Sequence, residues 1–190
     1  MPPTENYLVT LLRQLPQASE AEQEQLLGAA ITAHPADARP LLLLAAHYAQ
    51  HQSFDRAEAC YIEALHRAPE LAIARFQLGL LQFSCARPVT ALATFAPLAL
   101  LPDTHPLHLF KKAFECLAND RLQEASSWLQ QGIASNHDNA PLNDDMGKLV
   151  RQIEAQLSAA ASAAMPVNAT QAETSPAEQH FLVTAYRNLH

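Results

Sequence analysis

Shifting the sequence against itself by 34 residues brings small side chains into register, and this repeat constrains the fold more than any other feature. The first column contains Ala45, Gly79, Ala113 and Gly147. Three further columns in the same register contain Ala57, Ala91 and Ala125, then Tyr61, Phe95 and Leu129, then Leu65, Ala99 and Ile133. A period of this length is typical of stacked repeat units, none of which buries its apolar face alone.

Each repeat is predicted to contain two helices, because apolar residues recur at helical spacing in two stretches separated by a short turn. Pro35, Pro69 and Pro102 end successive units, since proline cannot continue a helix. The predicted core repeats cover residues 37–69, 71–102 and 104–136. In the first repeat, Asp37 and Ser53 are the candidate N-caps of the two helices.

Helical segments also flank the three core repeats. Residues 5–35 are predicted to form a less regular helix pair, in which Ser19 and Glu22 have the spacing of a capping box. Residues 140–163 are predicted to form a long helix with a polar face, which suits the end of a repeat array. These segments together predict one all-α domain over residues 4–163.

A change in composition separates the last residues from this domain. Residues 164–175 are rich in Ala, Ser and Thr and are predicted to be a flexible linker. Residues 176–190 are predicted to form a short amphipathic helix, because Phe181, Leu182 and Tyr186 share one helical face.

The charge balance argues against nucleic acid as a partner. The chain has 12 Lys+Arg against 19 Asp+Glu and a net charge of −7, whereas nucleic-acid binding depends on basic side chains that neutralise phosphates. The N-terminal stretch lacks the basic region of a signal peptide, and no apolar run approaches the ~20 residues that a membrane span requires. The three cysteines are dispersed, which favours a reducing compartment. The sequence therefore predicts a cytoplasmic protein that does not bind membranes.

Motifs of catalysis and cofactor binding are missing from the sequence, including glycine-rich phosphate loops and the nucleophile elbow. His47 and His51 are spaced i, i+4, and His105 and His108 are spaced i, i+3. Neither pair has a third metal ligand at the spacing of a known motif. We interpret these side chains as solvated or capping histidines, and we predict a protein that is not an enzyme and has no metal or cofactor.

The first repeat resembles a tetratricopeptide repeat. Its matching packing positions and terminal proline are Leu41, Leu44, Ala45, Tyr48, Phe54, Ala57, Tyr61, Ala64, Leu65 and Pro69. The later repeats match at fewer positions, and Gln52, Ala86 and Asp120 stand in the turns where this family often has glycine. The resemblance implies a right-handed α-solenoid of about three helix pairs, with flanking helices and a C-terminal helical tail.

In this family the first helix of each pair lines a concave groove that binds peptides. The residues implied to face the groove here are Leu42, Ile73, Phe76, Leu80, Phe83, Leu107, Phe110, Phe114 and Leu117. Because these side chains are apolar and the basic groups of a carboxylate clamp are not among them, the implied ligand is an apolar peptide or helix. In the alternative interpretation, the short array closes up and the phenylalanines are ordinary core residues.

The resemblance implies a non-catalytic adaptor or scaffold that binds a protein partner in this groove. One alternative is a type III secretion-type chaperone for hydrophobic translocator subunits, because the segments ARFQLGL and LFKKAFECL are similar to repeats of that class. Another is a regulatory subunit of an enzyme complex. We also expect that Phe181, Leu182 and Tyr186 either dock into the groove of the same or a neighbouring chain, which would allow self-association, or belong to a helix that caps the solenoid.

Overall fold

The structure is a computed structural model that describes residues 3–163, and the regular elements in this range are helices. The α-helices are α1 Pro3–Gln14, α2 Glu20–Ala33, α3 Arg39–Gln50, α4 Phe54–Arg67, α5 Ala72–Ser84, α6 Pro88–Phe95, α7 Pro106–Leu117, α8 Leu122–Ser135 and α9 Ala140–Ala163. The predicted all-α fold class is therefore confirmed. The predicted linker at 164–175 and the C-terminal helix at 176–190, with Phe181, Leu182 and Tyr186, lie outside the described residues.

The chain divides into two compact units, an N-terminal unit Met1–Leu81 and a C-terminal unit Gln82–His190. In the N-terminal unit α2 packs on α3, and α3 packs on α4. In the C-terminal unit α7 packs on α8, and α8 packs on α9. That residues 4–163 act as one domain stays a prediction. None of the helices within residues 3–163 combines the length and the apolar character needed to cross a membrane.

The helix pairs fall inside the predicted repeats, with one local difference in the second. The second α-helix of the repeat 71–102 does not continue up to the terminal Pro102, because α6 ends at Phe95 and the chain continues as a 3₁₀ helix, Ala96–Leu100. Pro97 accounts for the change, because it lacks the N–H that would continue the α-helical hydrogen bonding.

Of the three predicted N-terminal features, the capping box forms and Ser53 is the N-cap of α4, but the N-cap of α3 is Ala38 instead of the predicted Asp37. The capping box is confirmed, since the Ser19 N–H donates to Glu22 Oε2 at 2.8 Å. At the start of α3 the Arg39 N–H donates to Asp37 Oδ1 at 2.9 Å. Ser53 makes no side-chain cap to α4.

Asp37 also joins α1 to the start of α3. The Tyr7 hydroxyl donates to Asp37 Oδ2 at 2.6 Å, and the Tyr7 ring stacks on His34 with 3.6 Å between centroids. Hydrogen bonds from Arg39 hold the pKa of Asp37 well below its usual range. Burial, together with the carboxylate of Asp37, raises the pKa of Tyr7 to about 12. The degenerate N-terminal pair is thereby attached to the first repeat through a charge-assisted hydrogen bond.

The turn inside each helix pair repeats with the 34-residue period. Gln52, Ala86 and Asp120 have positive φ angles of 57°, 58° and 54°. At each turn the following N–H donates to the carbonyl five residues earlier, with Ser53 to Tyr48 at 2.9 Å and equivalent bonds at the other two turns. The turn residue itself donates to the carbonyl three residues earlier, which completes a Schellman motif. The left-handed conformation explains why tetratricopeptide repeats, which this sequence resembles, often have glycine at this turn position.

The turn at Ala86 yields the first testable prediction. Because a Cβ is disfavoured at positive φ, Ala86→Gly should raise the free energy of unfolding by about 0.5–1 kcal/mol after the entropy loss of glycine is included. Urea denaturation followed by circular dichroism measures the change. Ala93→Gly is the matched control, because Ala93 is exposed within α6, and there glycine should lower the stability by about 1 kcal/mol. Equal losses in both variants would contradict the left-handed turn.

The alanines of the first two repeat columns are buried, whereas Ala99 of the fourth column is exposed. Ala45, Ala57, Ala91, Ala113 and Ala125 are completely buried. The larger residues of the neighbouring column are buried as well, and these are Tyr61, Phe95 and Leu129. The first three columns therefore belong to the packed interior, where small side chains allow helices to approach closely and large ones fill the remaining space.

Candidate binding site

The predicted groove residues of the N-terminal unit are partly accessible. Leu42, Ile73 and Leu80 are half-buried, whereas Phe76 is completely buried. Leu42 packs against a small apolar core formed by Ala38, Leu41, Ala64 and Ala74. Three apolar side chains on α3 and α5 therefore retain some exposed surface at the positions implied by the family resemblance.

The predicted groove residues of the C-terminal unit are all buried. They are Phe83, Leu107, Phe110, Phe114 and Leu117, and none is more than 6% exposed. The Phe114 ring lies 5.0 Å from Phe83 in an edge-to-face arrangement and 5.4 Å from Phe95. Such contacts are typical of a packed aromatic core.

The four phenylalanines that were expected to line an open groove are therefore buried in the structure. The contact between Phe114 and Phe95 gives the physical reason, because Phe95 lies on the second helix of the preceding pair. The face of α7 that was expected to line a groove packs instead against the neighbouring helices. The alternative interpretation, that these phenylalanines are core residues, describes the structure. Peptide binding by the nine residues stays a prediction.

Gly132 is a packing residue that the sequence analysis did not single out. It lies on α8, and a Cβ at this position would overlap Cε1 and Cδ1 of Phe110. The Phe110 ring fills the space left by the missing side chain and is completely buried. A glycine inside a helical pattern was the available signal, because glycine there costs stability unless packing requires it.

A charged network on the N-terminal unit joins α2, α3 and α4. The Tyr48 hydroxyl donates to Glu24 Oε1 at 2.7 Å, and Arg56 donates to Glu24 and, at 2.6 Å, to the Tyr48 oxygen. The Arg56 guanidinium also lies 3.9 Å from the centroid of the Tyr48 ring. Burial and the neighbouring Glu24 raise the pKa of Tyr48 to about 12, while hydrogen bonds from Tyr48 and Arg56 lower the pKa of Glu24. The charge of Glu24 is therefore balanced by Arg56, and the Tyr48 hydroxyl both donates and accepts a hydrogen bond within the network.

Two histidines lie beside this network. The His47 Nδ1 is 3.1 Å from Gln23 Oε1, and the His51 Nδ1 is 3.2 Å from Glu20 Oε1. Burial lowers the pKa of His47, with a further lowering from the nearby His51. The sequence shows no third potential metal ligand at motif spacing from His47 and His51. In the structure, however, Glu20 of α2 lies next to the two histidines. The other predicted pair behaves differently, since His105 caps α7 by accepting the Leu107 N–H at 3.1 Å.

The thiols of Cys60 and Cys116 are in environments that disfavour reactivity. Burial raises the pKa of Cys60 and of Cys116. A thiol with a raised pKa is protonated near neutral pH and is a poor nucleophile.

Comparison with known proteins identifies the fold class. No family model matches the chain, and no curated protein matches it. Among solved structures, residues 41 to the end of MamA from Desulfovibrio magneticus RS-1 match with a TM-score of 0.55 and 13% identity, over 85% of this chain and 97% of that one. The ArsTM double mutant of MamA from RS-1 matches with a TM-score of 0.55 and 12% identity, over 97% of this chain and 93% of that one.

The chain has a tetratricopeptide-like fold. MamA is a tetratricopeptide-containing protein, and the likeness agrees with the α-solenoid class predicted from the sequence. At 12–13% identity the likeness shows the fold alone. The similarity to type III secretion chaperones receives no support from these neighbours.

Proposed function

We propose that this chain is a non-catalytic interaction module, an adaptor or scaffold, that binds an apolar peptide or helix. The observation that carries the proposal is the half-exposed apolar surface of Leu42, Ile73 and Leu80 on the first helices α3 and α5. In a tetratricopeptide-like fold these helices present the ligand-binding face, and an apolar ligand would remove their remaining surface from water.

The proposal extends to the buried members of the predicted set. Phe76 would support the binding face from below, because rigid, packed residues around an anchor limit the entropy lost on binding, whereas Phe83, Phe110 and Phe114 are the buried members in the C-terminal unit. Direct contact between these rings and a ligand would require the residues that cover them to move. The half-exposed residues are therefore the first ones to test.

The test is a pull-down with the purified full chain, followed by identification of captured proteins by mass spectrometry. The double variant Ile73→Glu, Leu80→Glu places two charges on the proposed face and should reduce capture of the specific partner on the order of tenfold or more, which corresponds to at least about 1.4 kcal/mol. Circular dichroism verifies that the double variant keeps the helical content of the wild type. The partner identified also decides between an adaptor, a secretion chaperone and a regulatory subunit.

The matched control carries Glu at Val89 and Leu100, which are 82% and 90% exposed and are not among the predicted binding residues. This control should capture the partner as the wild type does. Equal capture by all three chains would refute binding at the α3 and α5 face. Equal loss in the control would point to a general effect of charge.

Residues 176–190 are a candidate occupant of the same face. On the helix predicted from the sequence, Phe181, Leu182 and Tyr186 would share one apolar face, which is the kind of ligand proposed for the site. A chain that ends at residue 177 should capture more partner in the same pull-down if the tail competes for the face. Unchanged capture, with an unchanged oligomeric state, would assign the tail to another role, such as the alternative capping helix.

The remaining expectations belong to this proposal as well. A cytoplasmic location and the lack of nucleic-acid binding are supported by the net charge of −7 and the dispersed cysteines. The partner is expected to be a protein, and its recognition requires no cofactor.

A further inference from the structure

Three potential metal ligands converge at one end of the N-terminal unit. His47 lies in the last turn of α3, His51 is the C-cap residue that follows this helix, and Glu20 is the first residue of α2. One ligand atom from each residue lies within 4.8 Å of the others. The imidazole rings of His47 and His51 have their centroids 4.7 Å apart, and His51 Nδ1 lies 3.2 Å from Glu20 Oε1.

Gln23 fixes the orientation of the buried histidine. Its Nε2 donates to the carbonyls of Leu15 at 2.9 Å and Ala18 at 3.0 Å, so its Oε1 is the atom that faces His47. The His47 Nδ1 must then carry the proton that this oxygen accepts. The Nε2 of His47 consequently keeps its lone pair, which is the tautomer that a metal ligand needs. A hydrogen bond to the other ring nitrogen is the usual support for a metal-binding histidine.

We propose that Glu20, His47 and His51 form a binding site for a divalent transition-metal cation, with Zn²⁺ as its representative. Two imidazoles and one carboxylate are a donor set that Zn²⁺ accepts, and a water molecule completes the tetrahedron. Ligand atoms in a tetrahedral zinc site are about 3.3 Å apart, given bond lengths near 2.0–2.1 Å. The 3.2 Å separation between Glu20 and His51 already has this value.

Two of the three side chains are exposed, so an ion can reach the site from solvent. His47 is 7% exposed, whereas Glu20 and His51 are exposed side chains that can rotate to close the longer separations. The charges around the site favour a cation as well. The nearby Arg56 is paired with Glu24, so Glu20 leaves one net negative charge beside the two imidazoles.

A bound ion would connect the degenerate N-terminal pair to the first repeat, because α2 supplies one ligand and α3 with its C-cap residue supplies two. Since the three groups converge only in the folded chain, binding would stabilise the folded state. The inference does not depend on the identity of the peptide partner, and its test is separate from the pull-down.

The test is thermal unfolding of the untagged full chain, after treatment with EDTA and its removal, with and without ZnCl₂. At an ion concentration about 100-fold above the dissociation constant, we expect the melting temperature of the wild type to rise by roughly 5–10 °C. Glu20→Gln and His51→Ala change exposed side chains and should fold normally, yet at the same zinc concentration the shift should fall to about half or less in both. A chromophoric zinc indicator measures the affinity of each chain directly, and we expect at least tenfold weaker binding in both variants.

His66→Ala is the matched control. His66 is an exposed histidine on α4 whose Nδ1 lies 3.9 Å from a carboxylate oxygen of Glu63, without a second imidazole in the group. This variant should keep the full zinc response of the wild type. The proposal is overturned if zinc leaves the melting temperature of the wild type unchanged. It is equally overturned if Glu20→Gln and His51→Ala respond to zinc as strongly as His66→Ala.

Discussion

Replacing Phe110 by alanine should lower the free energy of unfolding by about 3–5 kcal/mol, the usual cost of removing a buried phenylalanine. The ring is completely buried on α7 and lies against Gly132 of α8, so its removal leaves a cavity that the two helices cannot easily close. Urea denaturation followed by circular dichroism measures the loss. The expected fall in melting temperature is at least roughly 6 °C for a chain of this size.

Leu100→Ala is the control for this measurement. Leu100 is 90% exposed, so its truncation should change the stability by no more than about 0.5 kcal/mol. The result also decides between the two interpretations of the aromatic residues. If Phe110→Ala left the stability unchanged while partner capture was lost, Phe110 would be an exposed anchor and the packing described above would be wrong.

Gly132→Ala should destabilise the protein by about 1–3 kcal/mol, the range for inserting a methyl group into a packed interior. Alanine favours a helix over glycine by about 1 kcal/mol, so the sign of the result depends on the contact with Phe110. Because the Phe110 ring is completely buried, it has little room to move away from the added Cβ. The same denaturation experiment gives the value.

Gly28→Ala is the control, since a Cβ at Gly28 meets no atom within 4 Å and the residue lies inside α2. This substitution should stabilise the protein by about 0.5–1 kcal/mol. A second comparison uses Phe110→Leu together with Gly132→Ala. The smaller Leu side chain should relieve part of the overlap, so the two substitutions should cost less together than the sum of their separate effects. Stabilisation by Gly132→Ala alone would contradict the close α7–α8 packing.

The repeat could be predicted from the sequence because its determinants are local. Pro35, Pro69 and Pro102 end helices whatever surrounds them, and apolar spacing identifies the helix between two such stops. The turns are also local features. Gln52 and Ala86 are not glycines, so their residue types do not indicate a left-handed turn. The 34-residue register nevertheless identifies them as the turn positions, and their φ angles are positive.

Whether the phenylalanines are buried or exposed could not be predicted in the same way. Spacing on α7 assigns Phe110 and Phe114 to one side of the helix, but it does not say whether that side meets solvent or another helix. The contacts with Gly132 and Phe95 decide this, and they depend on how neighbouring helices approach. The family resemblance favoured a groove, whereas the packing of these particular side chains produces a core.

The Glu20, His47 and His51 cluster illustrates the same limit for polar groups. The i, i+4 spacing identifies two ligands that share a helix face. Glu20 lies on another helix and in no fixed sequence relation to them, so only the packing of α2 on α3 brings it near. Long-range proximity of this kind is visible in the structure alone.

Three helix pairs repeat with a 34-residue period and share one turn geometry. Solution NMR tests this repeat most directly through the nuclear Overhauser effect between the amide proton and the Hα proton of the same residue, which is strong at positive φ because the two protons are close. We expect strong intraresidue signals at Gln52, Ala86 and Asp120, and weak ones at their helical neighbours. Helical φ values at any of these three residues would contradict the repeat.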